Sequence, residues 1–169
     1  GTFEEPEEDV SRLITKININ TYRDASYEHN MDYYLKYTED GKIYDITLVD
    51  RIRSNNDNPA TFKLTEYSHR WLESLSDNSV TLYAEDYPDI TETSLGPVEK
   101  YSLEIPLDES GNQLRMITYV SYDDVEYYEI GYNEDHTLKS WFAYYDVYQI
   151  PIILFTWDAG NLVSYTLVG

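Results

Sequence analysis

One short pattern recurs along this chain and limits what it can fold into. A bulky residue is followed by Asx-rich polar residues, usually with a glycine, and then by an aliphatic residue that opens an alternating stretch. The pattern stands at Tyr37-Thr38-Glu39-Asp40-Gly41-Lys42-Ile43, Leu107-Asp108-Glu109-Ser110-Gly111-Asn112-Gln113-Leu114, Tyr132-Asn133-Glu134-Asp135-His136-Thr137-Leu138 and Trp157-Asp158-Ala159-Gly160-Asn161-Leu162. Asp and Asn side chains bond their own backbone in turns, and glycine accepts positive φ at little cost. The bulky and aliphatic residues meet across the mouth of a hairpin and lock its register. Such a chain is an array of antiparallel hairpins, and the third unit departs from the pattern by carrying His136 where glycine is usual.

The segments between the turns alternate as half-buried strands do. Leu13, Thr15, Ile17 and Ile19 point one way, and Lys16, Asn18 and Asn20 the other. Segments 31–37, 43–51, 80–84, 100–107, 114–122, 125–132, 138–148, 152–157 and 162–168 read the same way, with 22–30 polar and turn-rich. The spacing predicts an all-β antiparallel meander of about ten strands, forming a strongly curved sheet or barrel-like structure. Residues 54–78 have no place in the repeat. Leu64, Tyr67, Trp71, Leu72 and Leu75 sit at helical spacing and Asp77-Asn78 stops it, which predicts one short helix near 66–74; 61–64 also reads as a strand. Residues 1–9 hold five acidic side chains, a proline and no base. They read as an acidic disordered leader or tether, with a single β domain over 10–169.

Composition excludes several functions. Twelve basic against 32 acidic residues leave a net charge of −20, which repels phosphate backbones and anionic lipid, so no nucleic-acid partner is expected. No apolar run has the length of a membrane-spanning helix; the longest, 150–155, is broken by Pro151. With no cysteine, disulfides, thiolate catalysis and Cys-based zinc sites fall away. No nucleophile elbow or phosphate-cradling glycine loop is present.

Carboxylate pairs such as Glu126 with Glu129, or Asp86 with Asp89, suit glycoside hydrolysis if held across a cleft. With 32 carboxylates such pairs also arise by chance on solvated strand faces. His29, His69 and His136 show no two-His ligand spacing. Asn55-Asn56-Asp57-Asn58 and Tyr122-Asp123-Asp124 gather oxygen ligands in loops without matching a calcium-binding loop. The sequence therefore names no catalytic residue, no cofactor and no metal ligand set.

Aromatic residues are the remaining signal. The 19 tyrosines suit a pleated surface, where the ring is covered and the hydroxyl stays wet. In Ser140-Trp141-Phe142-Ala143-Tyr144-Tyr145 and Tyr127-Tyr128, neighbouring positions carry rings, so both faces of a sheet do. Rings beside carboxylates form a platform for stacking on sugars. Trp71, Tyr128, Trp141 and Tyr144 are the ligand contacts this reading selects, with a glycan or a surface protein as partner.

The last hairpin resembles a tyrosine–aspartate repeat: an aromatic residue, Asp, turn residues with Gly, then Leu. The acidic leader, the opening strand through Tyr22 and the unit at 37–43 are together similar to a family of Bacteroidetes lipoproteins, domain of unknown function 4595, described as porin-like in fold. The resemblance spans roughly residues 10–169. It implies export to the periplasm or outer-membrane surface and a lipid anchor on a cysteine upstream of Gly1, and it implies no activity. The expected function is a non-enzymatic envelope protein binding through a curved β surface. A carboxylate-dependent glycan hydrolase and a structural or assembly subunit are the alternatives.

Overall fold

The computed structural model describes residues 2–6, 13–24, 27–39, 41–54, 61–75, 79–91, 93–106, 116–121, 124–144 and 151–169. Within them the protein is all-β and antiparallel. Eleven strands run in order: β1 (Lys16–Asp24), β2 (Tyr27–Tyr37), β3 (Ile43–Ser54), β4 (Lys63–Leu75), β5 (Ser79–Asp86), β6 (Glu99–Pro106), β7 (Met116–Ser121), β8 (Asp124–Tyr132), β9 (Leu138–Tyr144), β10 (Ile152–Asp158) and β11 (Asn161–Val168). Each pairs with its neighbours in sequence, in two separate sheets, β1 to β6 and β7 to β11.

The all-β antiparallel meander read from the sequence is present, and two of its details differ. Among the described residues the meander is not one sheet: it divides between β6 and β7. Among the described residues neither sheet closes, and β1, β6, β7 and β11 are the edges. The helix near 66–74 is instead part of the thirteen-residue strand β4. Leu64, Tyr67, Trp71, Leu72 and Leu75 fit a helical period. Tyr67, His69 and Trp71 equally fit a period of two. Pairing decides for the strand: β3 pairs along residues 63–71 and β5 along 68–75, so neighbouring strands take up the backbone along the length of β4.

The sheets share one core. Ile17, Ile19, Met31, Tyr33, Leu35, Ile46, Leu48 and Leu82 from the first sheet join Tyr128, Ile130, Leu138, Trp141, Ala143 and Ile153 from the second in a single buried cluster. Each large aliphatic side chain so buried contributes about 1.5–3 kcal/mol. Tyr33 is the central contact: its ring meets Tyr128 at 5.9 Å and Trp141 at 5.4 Å, both edge to face. The Tyr132 hydroxyl accepts a 2.9 Å bond from the Ile43 amide, and Trp157 Nε1 donates to the Leu138 carbonyl at 2.7 Å.

The turn chemistry matches the repeat at both described units of its longer form. In the first, the Thr38 amide donates to the Lys42 carbonyl and the Gly41 amide to Thr38. In the third, Asn133 donates to Thr137 and His136 to Asn133. Gly41 has φ 86° and His136 has φ 70°, so the histidine adopts the left-handed conformation that glycine takes elsewhere. The fourth unit is tighter: Ala159 (φ 51°) and Gly160 (φ 78°) make the two-residue turn whose twist suits a hairpin. The second unit, 107–114, lies outside the described residues.

Candidate functional site

The face of the first sheet turned away from the core gathers rings and ionisable groups, and strand register puts them there. Across β3, β4, β5 and β6 one row reads Asp45, Trp71, Tyr83, Ser102. The next reads Thr47, His69, Glu85, Lys100. A third begins Val49, Tyr67, and Tyr87, just past β5, meets Tyr67 at 5.2 Å. Because side chains alternate between faces, Leu72, Leu82 and Ala84 lie on the other side of the same strands, where Leu82 and Ala84 are buried.

Trp71 is the centre of this surface. It stacks on His69 at 4.5 Å with ring planes 26° apart, and on Tyr83 at 5.6 Å with planes 18° apart. His69 is held between two carboxylates: Nε2 lies 2.7 Å from Asp45 Oδ2, and Nδ1 lies 3.6 Å from Glu85 Oε1. Asp45 reaches His69 diagonally, a contact that cross-strand geometry allows to longer side chains. The other Asp45 oxygen is buried and has no hydrogen-bond partner among the described residues. Burial, first, and then the neighbouring Tyr87, Glu85 and Asp45 push the Tyr67 phenol above its ordinary value. Burial and Glu85 do the same to Tyr87. Both hydroxyls therefore stay protonated as neutral donors beside the acids. The surface combines stacked rings with carboxylate acceptors and phenolic donors.

Residues 2–6, read from the sequence as part of a free leader, lie against this same face. Phe3 packs edge to face on Tyr67 at 5.4 Å and sits under the Arg51 guanidinium at 5.6 Å. Glu5 pairs with Arg51 and accepts a 2.8 Å bond from the Tyr34 hydroxyl. Residues 7–9 lie outside the described part.

Of the four ligand contacts selected from sequence, only Trp71 stands on this face. Tyr128 and Trp141 are buried against Tyr33 in the core; the second sheet turns those rings inward, where they present no surface for stacking. The side chain of Tyr144 lies outside the described residues. Sequence reading missed Asp45, Tyr83 and Glu85, and weighed His69 only as a metal ligand. The available signal was alternation: Tyr67, His69 and Trp71, then Tyr83, Glu85 and Tyr87, each spaced by two. The competing helical pattern over 64–75 hid the first half of it.

The other groups singled out from sequence are dispersed. His29 is buried on β2 with Nδ1 3.1 Å from Asp50 Oδ2; burial raises Asp50 while the bond to His29 opposes that. Asp86 is not free for hydrolysis, since Arg70 Nη2 holds it at 2.8 Å and the Tyr101 hydroxyl donates to it at 3.0 Å. Glu129 is exposed on β8; the Glu126 side chain and the loops at 55–58 and 122–123 lie outside the described residues. His136 is in an exposed turn. Among the described residues no group of three or more His, Asp or Glu side chains is placed to hold a metal ion, and no helix is long and apolar enough to cross a membrane. No family model, curated protein or solved structure matches the chain.

Proposed function

We propose that the protein is a non-enzymatic cell-envelope module that binds a glycan on the outer face of its first sheet. The stack of His69, Trp71 and Tyr83, with Asp45 and Glu85 at its side, supports this reading. Pyranose rings present apolar C–H faces and a rim of hydroxyls. Aromatic rings cover the first, while Glu85 and the phenols bond the second in the combination typical of small-ligand sites, and buried Asp45 orients His69 from behind. A neutral ligand also meets no penalty from the net charge of −20. The envelope placement and the lipid anchor rest on the lipoprotein resemblance.

Titration with a panel of soluble polysaccharides, followed by calorimetry, tests the reading. At least one glycan binds, and Trp71→Ala and Tyr83→Ala each weaken it about tenfold or more while the circular dichroism spectrum is unchanged; stacking contacts of this kind are worth about 0.5–1.5 kcal/mol each before desolvated hydrogen bonds are counted. Absence of binding across the panel, or binding indifferent to Trp71, overturns it. Release of new reducing ends from a bound glycan assigns the protein to hydrolysis instead.

A further inference from the structure

Among the described side chains, those of β11 stand apart in exposure. All eight residues from Asn161 to Val168 are exposed, with Val163 at 63%, Tyr165 at 64% and Leu167 at 57%. Register places Tyr165 opposite Phe155 and Leu167 opposite Ile153. Those two β11 side chains are therefore on the face that β10 turns to the core, where Ile153 is only 5% exposed. The second sheet thus overhangs its cover by one strand, and that strand is the sheet edge.

Edges of soluble sheets are normally blunted by charge or proline. Both edges of the first sheet follow that rule: β1 carries Lys16 and Asp24, and β6 carries Glu99, Lys100 and Glu104 and ends on Pro106. β11 reads Asn-Leu-Val-Ser-Tyr-Thr-Leu-Val, with no charge and no proline. Among the described residues no strand pairs with its outer row of backbone donors and acceptors, which can take a further strand.

We propose that β11 is a homodimerisation edge, at which two copies pair their β11 strands antiparallel about a twofold axis and join their second sheets into one. Charge restricts where a second copy can dock. Two chains of net charge −20 repel over most of their surfaces, and an uncharged edge brings no like charges directly opposite one another. The strand is also self-complementary. With Tyr165 facing Tyr165 on the axis, Ser164 faces Thr166, Val163 faces Leu167 and Leu162 faces Val168, so every pair matches in character. Such a contact uses the same patch on both copies and closes at two.

Sedimentation velocity on the full chain across a concentration series tests the proposal. A reversible monomer–dimer equilibrium is expected, tightening with added salt as the repulsion is screened. Tyr165→Glu and Tyr165→Lys each place like charges face to face on the axis, and each weakens the dimer at least tenfold. Because the position is exposed, the melting temperature of the variants matches that of the wild type at concentrations low enough for both to be monomeric. An equimolar mixture of the two variants associates again. A wild-type chain that is monomeric throughout, a dimer indifferent to Tyr165→Glu, species larger than two copies, or a mixture that fails to associate each overturns the proposal.

Discussion

Gly41 and His136, in the turns of two different hairpins, touch: a Cβ built on Gly41 would lie 3.2 Å from the Cβ of His136. Both residues have positive φ. The β2–β3 turn and the β8–β9 turn, one from each sheet, are therefore packed together at positions that share one turn geometry.

This contact sets the cost of substitution. Gly41→Ala combines a left-handed alanine with crowding against His136, and lowers stability by about 1–3 kcal/mol. His136→Gly and Ala159→Gly act in the opposite sense. Each releases a non-glycine residue from the left-handed region and raises stability by about 0.5–1 kcal/mol. Urea denaturation midpoints of the three variants check the signs; a destabilised His136→Gly would mean that its contact with Gly41 outweighs the backbone term.

Arg70 is buried with its guanidinium 2.8 Å from Asp86 and over the Tyr101 ring at 5.5 Å. Asp86→Ala removes this carboxylate from the buried guanidinium and costs about 3 kcal/mol. Arg70→Met combined with Asp86→Leu removes both charges together and recovers most of the loss, because a buried pair is offset by its own desolvation. Chemical denaturation of the single and double variants gives the comparison, and a double variant as unstable as Asp86→Ala contradicts it.

Alkaline pH strikes the partly buried phenols. Burial first, then Tyr132, raises Tyr37, whose hydroxyl donates to the Ile14 carbonyl at 2.6 Å; Tyr67 and Tyr87 are raised as well, burial first. A phenol raised on folding contributes stability that is complete below its ordinary value of 10.0 and is lost as pH rises toward the folded value. Stability therefore falls above that value. Tyr37→Phe costs about 1 kcal/mol at neutral pH through the lost hydrogen bond, and the deficit shrinks or reverses at about pH 11. Urea midpoints at the two pH values, with phenolate absorbance followed in parallel, measure this; a constant deficit rules it out.

The docking of the amino-terminal segment is testable through Phe3. Phe3→Ala removes the edge-to-face contact with Tyr67 and the cation–π contact with Arg51, lowering stability by about 0.5–1.5 kcal/mol. It also speeds proteolytic removal of the first residues. Unchanged cleavage and unchanged stability would return residues 2–6 to the free leader that their acidity suggests.

Legibility varied by residue. The strands from Met31, Ile43, Leu138, Ile152 and Leu162 were plain, because alternation and turn chemistry agreed there. β4 was not: its rings satisfy two periods at once, and only pairing with β3 and β5 chooses between them. Trp71 was selected for the site from sequence, but its partners Asp45 and Tyr83 lie 26 and 12 residues away along the chain and meet it only through register.

The sequence by itself determined the hairpin array, the antiparallel class and even the unusual turn at His136. Those features are local, set by side chains within a few residues of each turn. Tertiary structure alone decided that the array splits into two open facing sheets, that Trp141 and Tyr128 serve the core while Trp71 serves a surface, and that β11 is left uncovered. Which face of a strand is buried depends on what packs against it, and in a chain with rings on both faces no local pattern records that.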